Sequence, residues 1–115
     1  MIKVKIFKNE QEHIVRYNIS GHANYSSHGE DIVCSAVSVL AYTALNALMH
    51  LSGLNENEIN YTIDEPSGYL DVILPKIIEG KTLEKTEIIL KTLEIGIKSV
   101  IESYPKYVTL EYREV

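Results

Sequence analysis

The hydrophobic period of this 115-residue chain changes abruptly between Ile19 and Ile32, from two residues to about 3.6. Ile2, Val4 and Ile6 alternate with polar or charged neighbours, and after Asn9-Glu10-Gln11 a second run alternates through His13, Val15, Tyr17 and Ile19. Alternation turns one face of a strand inward, so the two runs predict a β-hairpin. From Ile32 to Leu51 the spacing is helical, with Cys34, Val37, Ala41, Leu45 and Leu48 along one face, Asp31 as N-cap and Gly53 placed to end the helix. Ala36, Ala41, Ala44 and Ala47 keep that helix slim, which suits close burial against a sheet or a second subunit.

The same change of period recurs in the second half. Ile59, Tyr61 and Ile63 alternate, Glu65-Pro66-Ser67-Gly68 reads as a turn, and Leu70, Val72 and Leu74 alternate again. A second helix is predicted from about Leu83 to Ser103, with Thr82 as N-cap and Pro105 as the stop. Val108, Leu110 and Tyr112 then form a last strand. The order ββαββαβ defines an α+β fold, two-layer, with two helices packed on one side of a mostly antiparallel sheet. The two halves share architecture but not residues, so no internal duplication is inferred. At this length, residues 1–115 are expected to form a single domain.

Composition narrows the function. A net charge of −5, from 16 acidic and 11 basic side chains, opposes binding to a phosphate backbone, and direct nucleic-acid binding is not expected. No apolar run is read as approaching the roughly 20 residues needed to span a bilayer, and the N-terminus lacks a signal-peptide core. The expectation is a cytoplasmic protein with no membrane partner. A single cysteine makes no internal disulfide, which fits a reducing compartment and leaves the Cys34 thiol to packing or to chemistry.

Cys34 stands twelve residues after His22. Between them, Gly21 and Gly29 bound a segment rich in Ser, Asn and His with no apolar period, read as an exposed, flexible substrate loop that includes Ala23. A thiol attacks a carbonyl carbon effectively as thiolate, so a cysteine peptidase needs a base beside the sulfur and surroundings that favour negative charge. His22, with an unperturbed pKa of about 6.5, can take the thiol proton and return it to a leaving amine. If Asp31 caps the helix, Cys34 falls in its first turn, where unpaired amides and the helix dipole favour an anion. Asp31 has an alternative role in orienting His22. Ser38, one turn beyond Cys34, can line the pocket or bond back to a carbonyl.

The opposing reading is a lone cysteine that fills a small place in an apolar core, on a non-catalytic dimeric module that binds a ribosomal protein or an assembling ribosome. His22, His28, Asp31 and Cys34 are also ligand types for a transition metal, but their spacing matches no standard zinc pattern. Neither a metal nor another cofactor is expected.

Gly21-His22-Ala23, followed by Gly29-Glu30-Asp31-Ile32-Val33-Cys34-Ser35-Ala36-Val37-Ser38, resembles the paired signature of the ribosomal-processing cysteine proteases called Prp. The resemblance implies that His22 and Cys34 form a catalytic dyad, with Asp31 as a candidate support. It further implies a homodimer, a flexible loop over the site, and a ribosomal protein substrate with an N-terminal extension. That substrate is large-subunit ribosomal protein number twenty-seven, cut after an aromatic residue. Ser35 departs from the alanine that many members carry after the nucleophile.

Overall fold

Ile2, Val4 and Ile6 are fully buried between half-exposed or exposed neighbours, and this alternation fixes the inward face of the first strand, β1 (Ile2–Lys8). The computed structural model describes the backbone of residues 1–21 and 28–115 and the side chains of 1–21 and 32–115. β1 is followed by β2 (Ile14–Ser20), helix α1 (His28–Leu51), a short 3₁₀ turn (Glu56–Glu58), β3 (Asn60–Asp64), β4 (Tyr69–Ile73), helix α2 (Gly80–Ser103) and β5 (Val108–Glu114).

The five strands lie in the order β3-β4-β2-β1-β5. Every neighbouring pair is antiparallel except β1 and β5, which run parallel from Ile2 opposite Val108 to Lys8 opposite Glu114. The register sets Val4 opposite Ile19, Ile19 opposite Leu70, Ile6 opposite Tyr17, and Tyr17 opposite Val72. These side chains form one continuous apolar face, against which Val33, Val37, Ala41, Leu45 and Leu48 of α1 and Leu90, Leu93 and Ile97 of α2 complete the core. The predicted α+β fold, with its element order, is therefore observed.

The other face of the sheet is polar. Arg16 grips Asp71 with two hydrogen bonds, Nε to Oδ1 at 2.9 Å and Nη2 to Oδ2 at 3.0 Å, while its guanidinium lies 4.6 Å from the centre of the Phe7 ring. Asp71 raises the Arg16 pKa further by accepting those bonds. The Asn18 amide donates to the Tyr69 hydroxyl at 3.0 Å, so the buried Asn18 and Asp71 both have partners.

Two boundaries and one reading of length differ from expectation. α1 begins at His28, which places Gly29 and Asp31 inside the helix instead of at a loop end and an N-cap. A glycine inside a helix weakens it by about 1 kcal/mol, yet Gly29 lies within α1. α2 begins at Gly80 with Glu79 as N-cap, not after Thr82, because the Glu79 carbonyl already accepts the Leu83 N–H at 3.4 Å. Finally, Ile32–Leu51 is long and apolar enough to cross a bilayer, contrary to the reading that no run approached this length. In this fold it is a core helix whose inner face lies on the sheet. Gly53 follows it with φ of +94°, the left-handed conformation expected of a glycine helix stop.

Candidate active site

Cys34 sits on the stripe of α1 that Val37, Ser38, Ala41 and Tyr42 continue at spacings of three and four, so all five look into one cleft. Ala41 is small, and its place on this stripe leaves space in the cleft two turns beyond Cys34. Ile2, Ile19 and Gly21 form the floor, and Asp64, Glu65 and Gly68, with Tyr69 and Leu70, form the opposite wall. The cleft has room for about 270 Å³ of solute and is open to solvent at its mouth. Cys34 is half-buried, has no disulfide partner, and is packed against the core on one side.

A buried hydrogen bond ties this helix to the sheet. The Tyr17 hydroxyl donates to the Ala41 carbonyl at 2.9 Å, and burial pushes the phenol pKa well above its ordinary value, so Tyr17 remains a neutral donor. The bond lies two turns beyond Cys34 and fixes the height of α1 above β2. Gly21 performs a similar service at the other wall. Its φ is +92°, and a β-carbon there would collide with the carbonyl oxygen of Met1. The glycine therefore permits a close approach to the carbonyl that precedes the chain's own first strand.

The structure brings together Cys34, Ser38 and Gly21 among the residues singled out from sequence. His22 and Ala23, and the side chain of Asp31, lie outside the described residues. The earlier helix start does correct one element of the chemistry. Cys34 is six residues beyond His28, so its amide belongs to the helix interior and not to the first turn with its unpaired N–H groups. The dipole effect fades within that turn, so it contributes little to thiolate formation at Cys34. Sequence reasoning also missed the far wall. Glu65 to Gly68 was legible as a turn, but no local pattern says that this turn folds beside Cys34. Among the described residues, no cluster of three His, Cys, Asp or Glu side chains is positioned to hold a metal ion.

A half-buried thiol at the wall of an open cleft, on a helix laid across a mostly antiparallel sheet, offers a nucleophile to a molecule bound there. The chain matches the family Cysteine protease Prp over residues 1–109, and it belongs to that family. It is 26% identical over 104 residues to the ribosomal processing cysteine protease Prp of Bacillus subtilis, covering 90% of each chain. The Mycoplasma pneumoniae protein of the same name is 30% identical over 94 residues, covering 80% of this chain and 81% of that one. The crystal structure of Staphylococcus aureus Prp in complex with a substrate peptide shares the fold, with a TM-score of 0.85 at 22% identity, over 98% of this chain and 100% of that one. The molecule is thus a cysteine peptidase, and the reading of an inert thiol on a non-catalytic module gives way.

Proposed function

We propose that this chain is the endopeptidase that removes the N-terminal extension of large-subunit ribosomal protein number twenty-seven, cutting after an aromatic residue in ribosome maturation. The observation that carries this reading is the placement of Cys34 in an open, largely apolar cleft of a Prp-family fold. Relatives named for ribosomal processing, and a Staphylococcus aureus structure with a bound substrate peptide, support the substrate class. Tyr42, Ile19, Ala41 and Leu70 give the cleft walls suited to an aromatic side chain.

Cys34 is the nucleophile and His22 the general base. His22 takes the proton from Sγ, and the thiolate attacks the scissile carbonyl carbon to form a tetrahedral oxyanion. Collapse breaks the C–N bond, and the proton held by His22 goes to the departing amine. The acyl group is left on sulfur as a thioester. Water then gives a proton to His22 and its oxygen to the carbonyl carbon, after which the carboxylic acid leaves and Sγ regains its proton. Asp31 is assigned to orienting His22, since the observed helix start removes its capping role. Ser38 lines the pocket, and the segment carrying Ala23 covers bound substrate.

The protein acts in the cytoplasm as a homodimer. Ile32, Val39 and Leu51 stand exposed on α1 and provide an apolar surface for self-association. Mass spectrometry of the extended ribosomal protein after incubation with wild type and with Cys34→Ala tests the central reading. A single new N-terminus, generated by wild type alone, is the expected result. An intact substrate in both reactions would overturn it.

A further inference from the structure

We infer that β3 is a docking edge for an extended, basic stretch of polypeptide that runs on from the Cys34 cleft. The inference rests on the peptidase reading above and names where the substrate lies beyond the reacting residues. Among the described residues β3 is an outer strand, paired with β4 alone, so alternate backbone N–H and C=O groups face outward along it. All five of its residues are exposed. Tyr61 and Ile63 share the helix-side face of the sheet, yet they are 36% and 40% exposed, whereas Val72 and Leu70 opposite them are 0% and 3% exposed. The helices therefore stop covering the sheet at β4 and leave an apolar step beside it.

That step is continuous with the cleft. Ile63 pairs with Leu70 and Asp64 with Tyr69, and Asp64, Tyr69 and Leu70 all line the space into which Cys34 looks. A peptide with its scissile carbonyl at Sγ and its chain extended along this wall meets the open edge of β3 next. Adding a strand there satisfies the peptide backbone, and an alternate side chain seats on Ile63. The Tyr61 hydroxyl donates to Glu56 at 3.2 Å and so braces the ring at the far end of the step.

Charge selects the occupant. From Glu56 to Pro75 the chain carries no lysine or arginine, while Glu56, Asp64 and Glu65 stand at the two ends of β3. A cationic peptide is attracted there. A second copy of this chain is not, because two β3 strands paired about a two-fold axis would bring their acidic ends together. A five-residue strand also offers little area for a stable subunit interface.

The test uses Cys34→Ala, which binds without turnover. The probe is a labelled synthetic peptide spanning the extension and the following residues of the ribosomal protein, with a second peptide limited to the residues flanking the scissile bond. Fluorescence anisotropy should show the long peptide binding roughly tenfold more weakly when Ile63→Lys is added, with the short peptide unaffected. Ile63→Thr, which keeps a β-branched residue and so preserves the strand, should give a smaller loss in the same direction. Amide exchange at Asn60 to Asp64 should slow when the long peptide binds. Equal affinities in all three proteins, unchanged exchange along β3, or no binding to Cys34→Ala would overturn the docking edge. Dissociation of a dimer by Ile63→Lys, seen by sedimentation, would give the face to a second copy and overturn it as well. If wild type leaves the peptide uncut while Cys34→Ala still protects β3, the peptidase reading fails and the docking edge stands.

Discussion

The two helices are equally long, 24 residues each, and pack beside one another on the same face of the sheet, yet they are built for different work. α2 solvates its outer face with Lys81, Glu84, Lys85, Lys91 and Lys98, and it ties charges together through Lys91 with Glu87 and Lys98 with Glu94. α1 has no Asp, Glu, Lys or Arg from Ile32 to Leu51, and it exposes Ile32, Val39 and Leu51. Solvent-exposed ion pairs contribute little to stability, so α2 is held chiefly by Leu90, Leu93 and Ile97. The contrast is one of charge: α2, which also exposes Ile88 and Ile95, carries ion pairs along its outer face, whereas α1 from Ile32 onward keeps its surface uncharged beside a cleft. Cys34 lies on α1.

Five substitutions sharpen this contrast, and the largest effect belongs to the cleft. Cys34→Ala should lower turnover roughly 10⁴-fold or more while leaving the thermal unfolding midpoint nearly unchanged, because a half-buried side chain at a cleft wall is lost without a large core void. A large loss of stability in that variant would make the thiol a packing residue. On the other helix the balance should reverse. Leu90→Ala, at a position 1% exposed, should cost about 2–5 kcal/mol in denaturant unfolding and leave the alkylation rate of Cys34 in the folded protein unaltered.

Tyr17→Phe probes the tie between α1 and the sheet. It leaves the Ala41 carbonyl without its side-chain donor and should cost about 1 kcal/mol by the same unfolding measurement, with a lowered kcat as α1 gains freedom above β2. An unchanged kcat would uncouple the hydroxyl from the site. The smallest effect on stability is expected from the exposed apolar positions. Val39→Lys on α1 and Ile95→Lys on α2 should each change unfolding free energy by less than about 0.5 kcal/mol. Sedimentation should nevertheless separate them, since a dimer built on α1 responds to Val39→Lys alone. Equal responses would spread the subunit contact over both helices.

Much of the fold was legible because local patterns carry it. The alternation of Ile2, Val4 and Ile6 and the three-four spacing from Val33 to Leu48 appear in the structure as buried faces. The helix starts were less legible. Glycine at 29 reads as the end of a loop, but it lies in the first turn of α1, and α2 likewise begins earlier than Thr82 suggested, at Gly80. At the site, the stripe of Cys34 and Ser38 followed from helical spacing, whereas the wall of Asp64, Glu65 and Tyr69 did not.

The sequence by itself determined the elements, their order, and the thiol on the inward stripe of the first helix, because hydrophobic period and turn residues act over a few positions. The tertiary structure alone decided that β5 joins β1 in parallel, that the β3–β4 turn closes the cleft around Cys34, and that β3 is left open at its side. Those outcomes depend on which distant surfaces exclude water together. That choice is made by the packing of the whole core and is not written in any single stretch of chain.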